Sequence, residues 1–421
     1  MSEKKQGGIK RNVVTLLTGT VLAQALPVGI SPVLSRLYSP DDFGLLALYA
    51  ALASIIATVA SLRYELAILQ PEDEEDAIAL VWISLAAIGI VFSITLLAVF
   101  SYNHFKLEFL GVEGIRGWLY LLPLSVLVLG VFKIFNRWLL RNDAYKAISQ
   151  VTVSQSLFSS FFQVALSLFS LKGGLVIGQF VGQTAASLVA GFKSARKVRS
   201  FSLNINKERM LFNIKKYRRM PTYSTAGALA DMLSIQMPVL VISRFFLESA
   251  TGAFSLTFRV LNLPATVVSS AVSQVLYKRI NDMSNANSMG ITQLLFKLFI
   301  LNLGLMAPFI IFVNLFGEQL FALIFGEPWR QAGKMATVLV FAVAVRFVVS
   351  PMSAVLAIEK NIKLGTLWQF LYLVTIFMTL FYFRESSIEV FILAFVVHEI
   401  IQYMVYFGLI IKGARRLERN G

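Results

Sequence analysis

Hydrophobic positions along the chain fall into long unbroken runs bounded by charged or turn-forming residues. Val13 to Leu34 holds no charged residue, and Ile291 to Phe316 holds only Lys297. Each run exceeds the roughly 20 apolar residues that a helix needs to cross a bilayer. A backbone in hydrocarbon must satisfy its own amides and carbonyls, and these runs lack the alternation of a membrane barrel, so they are read as helices. The pattern predicts spans near 13–34, 45–70, 77–100, 118–140, 151–171 and 175–192. A second set follows near 221–246, 252–277, 291–316, 335–357, 364–383 and 388–411.

Composition sharpens this picture. Hydrophobic residues make up 57% of the 421 and charged residues 14%, against about 25% charged in a soluble domain. An all-α polytopic membrane protein is the class that remains. The net charge of +15 is no nucleic-acid signature, because the basic residues lie in loops rather than along one groove with aromatics between them. With the N-terminus inside, inner segments hold 24 Lys and Arg and outer segments 7. By the positive-inside rule both termini are cytoplasmic. Lys4, Lys5, Lys10 and Arg11 before the first run resemble a signal peptide, but further spans follow and no A-x-A cleavage site is evident, so an uncleaved first helix is expected. The acidic run Glu72 to Asp76 is read as favouring the positive end of the third span's helix dipole. The chain has no cysteine and two histidines, His104 and His398. No catalytic or metal-ligating constellation is therefore expected, and no cofactor.

Ser35-Arg36 followed by Gly44 recurs as Ser243-Arg244 followed by Gly252, with one offset of 208 residues. The basic stretch from Lys193 to Met220 divides the spans six and six. The expected organisation is a six-helix lobe over 1–192, a basic cytoplasmic linker over 193–220 and a second lobe over 221–421, around a central cavity. The repeated loops form the expected outer gate: Ser35, Arg36, Asp42 and Gly44 with Ser243, Arg244, Ala250 and Gly252. Gly174, Gly178 and Gly182 make overlapping G-x-x-x-G steps, which predicts a close helix neighbour.

Leu34-Ser-Arg-Leu-Tyr-Ser-Pro-Asp-Asp-Phe-Gly44 and Arg63-Tyr-Glu-Leu-Ala-Ile-Leu-Gln-Pro-Glu-Asp73 resemble the opening of Wzx-type polysaccharide flippases of the multidrug/oligosaccharidyl-lipid/polysaccharide (MOP) exporter superfamily. Pro221-Thr-Tyr-Ser224, Arg259-Val-Leu-Asn-Leu-Pro264, Gln274-Val-Leu-Tyr277 and Phe325-Gly-Glu-Pro-Trp-Arg-Gln-Ala-Gly333 are similar to strings at matching places in that family. The resemblance implies a twelve-helix, two-lobed, MATE-like flippase of the bacterial inner membrane. Its cargo would be undecaprenyl-pyrophosphate-linked oligosaccharide, such as an O-antigen unit, moved from the inner to the outer leaflet by alternating access. It further implies a proton or sodium gradient as a possible drive, and polysaccharide polymerase and chain-length proteins as partners. The two extra C-terminal helices of fourteen-span members are not expected here.

Within the predicted spans lie Arg63, Lys133, Arg137, Arg244, Arg259, Lys297 and Arg346 against Glu65, Asp231 and Glu399. Each would cost about 2.5–3.5 kcal/mol facing lipid at the bilayer centre. Arg244 and Lys297 lie near span ends, where they can snorkel. Lys133 and Arg137 share a face at i, i+4. Arg63 lies about 12 Å from the inner end of its span, Arg346 about 16 Å from either end and Arg259 about 10 Å from the outer face, at 1.5 Å per residue. An excess of guanidinium suits a pyrophosphate, so Arg63, Arg259, Arg346, Lys133 and Arg137 are the expected substrate ligands. Arg63 and Arg346 have a structural alternative as interhelical glue, Arg63 pairing with Glu65 or Arg346 with Asp231 or Glu399. Arg63 and Glu65, two apart on one helix, are expected to point to different neighbours. Asp231, Glu65 and Glu399 are the candidates for carrying a coupling ion.

Rival classes are less well served. An ATP-driven pump needs G-x-x-x-x-G-K-[ST], which is absent. A membrane glycosyltransferase needs a catalytic domain, and the outer segments are too short for one. A cation-coupled drug exporter of the same superfamily should want an acidic interior, whereas this one is cationic by four charges.

Overall fold

The computed structural model describes residues 2–106, 113–169, 171, 173–201, 207–285, 290–358 and 361–419. Among them every regular element is helical. In order these are α1 (Ser2–Leu37), α2 (Pro40–Val59), α3 (Tyr64–Ala67), α4 (Glu74–His104), α5 (Arg116–Leu119), α6 (Leu122–Arg141), α7 (Tyr145–Ser167), α8 (Gly174–Phe201), α9 (Lys207–Lys216), α10 (Thr225–Phe245), α11 (Glu248–Asn285), α12 (Ile291–Phe325), α13 (Arg330–Val349), α14 (Ile362–Tyr382) and α15 (Ile388–Arg419). Ten stretches among the described residues are long and apolar enough to cross a membrane. Of the twelve predicted spans, those over 151–171 and 252–277 fall on α7 and α11, which are absent from the ten. The sequence of α7 shows why: it carries six Ser, one Thr and three Gln, which lower its mean hydropathy.

Local sequence explains where the helices begin. Ser39 and Asp42 make a reciprocal cap at the start of α2, the Ser39 backbone N–H donating to the Asp42 carboxylate (3.0 Å) and the Asp42 N–H to the Ser39 hydroxyl (3.2 Å), with Pro40 supplying the first helical position. Asp73 caps α4 by accepting from the Glu75 N–H, and Glu74, Glu75 and Asp76 occupy its first turn, as the dipole argument requires. α12 is framed by Gly290 and Gly326, both at positive φ.

The chain divides into two compact units. One comprises residues 1–38 and 45–236, the other residues 39–44 and 237–421. In the first unit α7 lies between α1 and α8, and α6 joins α8 to α4. The predicted glycine stripe is where α8 meets α7: a Cβ on Gly178 would reach 3.0 Å from the Gln163 Cα, and one on Gly182 would reach 2.7 Å from the Ser159 amide nitrogen. Tyr49, Leu80, Ile88, Val126, Ile134 and Trp138 fill the interior near by. In the second unit α13 is the central helix, packed against α11, α12 and α15; 72% of the best apolar window over Glu327–Leu356 is buried against 17% for α12. α12 is therefore peripheral in this unit and α13 a core helix.

The 208-residue offset extends beyond the motifs that revealed it. α10 ends 208 residues after α1, α11 begins 208 after α2, and α13 begins and ends 208 after α6. The two sequences depart within the second helix of each half. α11 continues unbroken to Asn285, whereas α2 stops at Val59.

Candidate functional site: a cationic break in the second span

The predicted span over 45–70 is not one helix. After Val59 the chain turns through Leu62 (φ 50°) and Arg63 (φ 63°), two successive non-glycine residues in the left-handed region, and resumes as the single turn of α3. Each such residue costs roughly 1–2 kcal/mol, so the surroundings must over-determine the break. They do so with cations from α6. The Lys133 ammonium donates to the Ala57 carbonyl (2.8 Å), freed by the end of α2, and one turn pair further on Arg141 donates to the Ile68 carbonyl (2.9 Å).

The break reverses one sequence expectation. On a continuous helix Arg63 and Glu65 would point apart, but the left-handed turn brings the guanidinium to 4.0 Å from the carboxylate. Glu65 is 2% exposed and also accepts from the Ser61 hydroxyl. Arg63 keeps about a quarter of its side chain open, and its Nε is buried with no hydrogen-bond partner among the described residues. Arg63, Arg137 and Glu65 all lie within electrostatic reach of the Lys133 ammonium. Four of the predicted site residues thus share one neighbourhood, three cations and one anion, with Arg63 the cation that meets Glu65. Lys133 is committed to a backbone carbonyl, while Arg63 and Arg137 retain donors.

The second unit treats its charges differently. Arg346 on α13 is bonded through Nε to the carboxylate of Glu399 on α15, and through Nη2 to the Tyr372 hydroxyl of α14 (3.0 Å). Tyr372 in turn donates to Glu399, which has no exposed surface. The guanidinium lies over the rings of Phe258 (5.1 Å) and Tyr403 (5.9 Å). His398 meets the Thr375 hydroxyl through Nε2 (3.0 Å) and places Nδ1 3.7 Å from Glu399. Of the two alternatives read for Arg346, this geometry is the ion pair with Glu399, and the pair is charge-balanced. Tyr372 and Tyr403 went unread because a tyrosine in an apolar run has the same hydropathy signal whether its hydroxyl is used or not.

Arg259 on α11 is exposed, with no acidic partner among the described residues. Asp231 on α10 is also exposed. An exposed charge so far from a span end must face polar surroundings, because hydrocarbon would exact the insertion cost.

The repeated loops show matching local chemistry. Ser35 and Ser243 are both buried, and each hydroxyl donates to the carbonyl three residues earlier, at 3.0 Å in both cases. Residues 39–44 pack in the second unit against the first turns of α11. A Cβ on Gly44 would strike the Glu248 carbonyl, and one on Gly252 would strike the Pro40 carbonyl. Pro40 and Glu248 are themselves 208 apart, so the contact is reciprocal: each turn offers its glycine to the other's first carbonyl. Phe43 stacks edge-on against Trp329 (4.8 Å) beside it. Ala250 is buried, Asp42 is engaged with Ser39, and Arg36 and Arg244 are exposed, Arg244 lying over the Phe245 ring.

Comparison with known proteins places this architecture. Residues 33–334 match the model of the family described as Polysaccharide biosynthesis protein. The chain is 24% identical over 366 residues, 85% of its length and 70% of the relative's, to the succinoglycan biosynthesis transport protein ExoT of Rhizobium meliloti (strain 1021). It is 21% identical over 368 residues, 83% and 71% of the two chains, to an uncharacterized membrane protein in the cps region of Klebsiella pneumoniae. Among solved structures, the fold resembles the lipid II flippase MurJ in an inward closed conformation (TM-score 0.75, 12% identity, 97% of this chain and 90% of that one). It also resembles an inward-facing multidrug resistance MATE family transporter of the MOP superfamily (TM-score 0.61, 15% identity, 96% and 95%).

Proposed function

Because the chain belongs to the polysaccharide biosynthesis protein family, we propose that this multi-pass membrane protein is a flippase for a lipid-linked saccharide. The finer reading is that it moves undecaprenyl-pyrophosphate-linked oligosaccharide, an O-antigen or other surface polysaccharide unit, from the inner to the outer leaflet of a bacterial inner membrane. Twelve spans in two lobes, with both termini cytoplasmic, belong to the same proposal. The observation that carries it is the broken second span, where Arg63 meets Glu65 and both lie with Arg137 in the electrostatic neighbourhood of Lys133, three cations to one acid among the described residues. A surplus of two positive charges inside a membrane protein is costly unless an anion is expected there. A pyrophosphate fits, because guanidinium groups grip its oxygens through paired hydrogen bonds. Arg259 adds an unpaired guanidinium from α11, while Arg346, neutralised by Glu399, orients helices instead.

In this scheme the sugar-bearing head crosses through a polar interior while the polyprenyl tail stays in lipid. The reciprocal seam at Gly44 and Gly252 acts as the outer gate, and Ser35, Arg36, Asp42, Ser243, Arg244 and Ala250 frame it. Among the ion-coupling candidates, Glu65 and Glu399 are enclosed, so Asp231, exposed on α10, is the carboxylate best placed to exchange a proton or sodium ion with water. The succinoglycan transport relative and the MurJ-like fold support a saccharide cargo; the MATE likeness keeps a cation-coupled drug exporter as the competing outcome.

The test is reconstitution into liposomes with lipid-pyrophosphate oligosaccharides of differing head sugars, scoring accessibility from either side. Arg63→Ala, Arg137→Ala and Arg259→Ala should abolish movement at normal protein levels, with lysine restoring part of it. Wild-type movement in all three, or movement of organic cations in place of the saccharide, would overturn the reading.

A further inference from the structure

α9 lies outside the ten candidate spans, yet it is fixed at the level where two of them begin. Three residues separate its end at Lys216 from the candidate span Met220–Phe245, and it packs on the start of the span Glu74–His104. One face of α9 is consumed by the protein. Asn213 is fully buried and donates to Asp76 (3.0 Å), and Tyr217 beyond the helix end is also buried. Arg209 reaches Asp73 (2.7 Å), Glu75 (2.9 Å) and Asp76 (3.7 Å). This clamp explains the acidic run before α4 more fully than a dipole effect alone: it is the seat of α9.

The opposite face is free, and its composition is unlike that of a helix facing water. Leu211, Phe212 and Ile214 are exposed by 59%, 56% and 38%. Around them Lys207, Lys215, Lys216, Arg218 and Arg219 are exposed, with Glu208 the one exposed acid between Lys207 and Arg219. The Lys216 ammonium rests over the Phe212 ring (5.5 Å), an arrangement in which the aliphatic stem follows the apolar surface and the charge points outward. A short helix with apolar residues interleaved with lysine and arginine, held at the depth where spans enter, has the chemistry of an interfacial helix.

We propose that the free face of α9 docks on the bilayer surface and selects anionic lipid headgroups. Leu211, Phe212 and Ile214 enter the boundary between headgroups and acyl chains, and the surrounding cations meet the lipid phosphates. Arg209 and the acidic seat hold the helix in register, so the bilayer's surface charge acts on the chain immediately before the candidate span Met220–Phe245. Five cations against one acid provide the charge complementarity. A soluble protein partner would need a comparable acidic, apolar groove at membrane level.

The absence of cysteine permits a clean test in the full-length protein. A single Leu211→Cys carrying an environment-sensitive fluorophore would be placed in nanodiscs of phosphatidylcholine alone, or of equal phosphatidylcholine and phosphatidylglycerol, each with and without doxyl-labelled lipid. Quenching by doxyl lipid should be about twofold or more stronger in the anionic discs, in line with the attraction each basic side chain adds at a charged surface. Lys207→Gln, Lys215→Gln and Lys216→Gln together should lower it to the neutral-disc level. The corresponding arginine replacements keep the charge and should keep the quenching, which separates loss of charge from loss of folding. Equal quenching in both discs would overturn the lipid selectivity, and a probe unquenched in either would assign the face to water or to a soluble partner.

Discussion

Gly252→Ala probes the reciprocal seam directly. A methyl there would overlap the Pro40 carbonyl oxygen and stand 2.9 Å from its carbon and 3.0 Å from the Gly44 amide nitrogen. The oxygen would lie 1.9 Å from the methyl, where carbon and carbonyl oxygen normally sit about 3.3 Å apart or more, so the two turns must part by more than about 1 Å. The obstacles are backbone atoms and cannot rotate away. Overpacking of this kind costs about 1–3 kcal/mol, which shifts a closed-to-open equilibrium about 5- to 150-fold. Alanine also gains up to about 1 kcal/mol of helix propensity over glycine, but α11 is helical in either state, so that gain cancels in the equilibrium and appears only in the melting temperature. Gly44→Ala meets the same seam from the other side, 3.0 Å from the Glu248 carbonyl carbon. Once one methyl has parted the turns, the second has little left to displace, and the double variant should lose less than the two singles together. The assay is disulfide formation between Asp42→Cys and Ala250→Cys, which needs Cα atoms within about 7 Å. Crosslinking should fall in each single variant without a fall in melting temperature. Unchanged crosslinking, or strictly additive losses, would refute the gate reasoning.

Lys133→Met should lower thermal stability in detergent by about 1–3 kcal/mol, because the Ala57 carbonyl loses its donor inside the membrane; Arg137→Ala should change the melt by less than about 0.5 kcal/mol while stopping transport. Glu399→Gln leaves Arg346 without its counter-charge and should cost about 3–5 kcal/mol, much of it recovered when Arg346→Met is added, as a melting series would read. For topology, phosphatase fusions after Glu248 should be active and those after Lys207 inactive. The Arg209 guanidinium holds the Asp73 carboxyl below its usual range, so the seat of α9 is intact above about pH 4 and lost as pH falls through that lowered value; the protection of α9 amides, relative to their intrinsic exchange rate at each pH, should then be constant from about pH 5 to 8.

The membrane class, the helices and the half-chain repeat were legible in the sequence because each rests on a property that accumulates over many residues. Hydropathy sums across a span, and an offset of 208 recurs at Ser35, Gly44 and at the bounds of α6 and α13. α7 shows the limit of the same signal. Some of its polar residues are spent between helices, as Ser156 donates to the Ala23 carbonyl (2.6 Å) and Gln163 to that of Leu175 (3.1 Å), and hydropathy counts that internal polarity as if it faced lipid. The identities of Arg63, Lys133, Arg137 and Arg346 were also readable, since deep cations are rare. Their partners were not. Arg346 and Glu399 are 53 residues apart, and only the packing of α13 against α15 joins them.

The break after Val59 has no local signal of the usual kind. Ser61-Leu62-Arg63 holds no glycine or proline, and leucine and arginine favour helix. What breaks the helix is a helix away: Lys133 and Arg141, two turns apart on α6, offer their donors to carbonyls that a continuous span would have kept. In hydrocarbon a carbonyl without a partner is costly, so an interrupted span persists only where something else supplies the donor. The same substitution of partner explains the chemistry. By ending α2 early, the fold turns Arg63 out of the helical register, exposes a quarter of it and leaves its Nε without a hydrogen-bond partner among the described residues. The matching helix of the other half, α11, runs on through its Pro264 and carries Arg259 instead. Two halves that began alike have thus come to present guanidinium in different ways, one from a strained turn and one from a continuous helix. Under the proposed function, a cargo with two phosphates and an asymmetric sugar head would give a physical reason for that asymmetry to be kept.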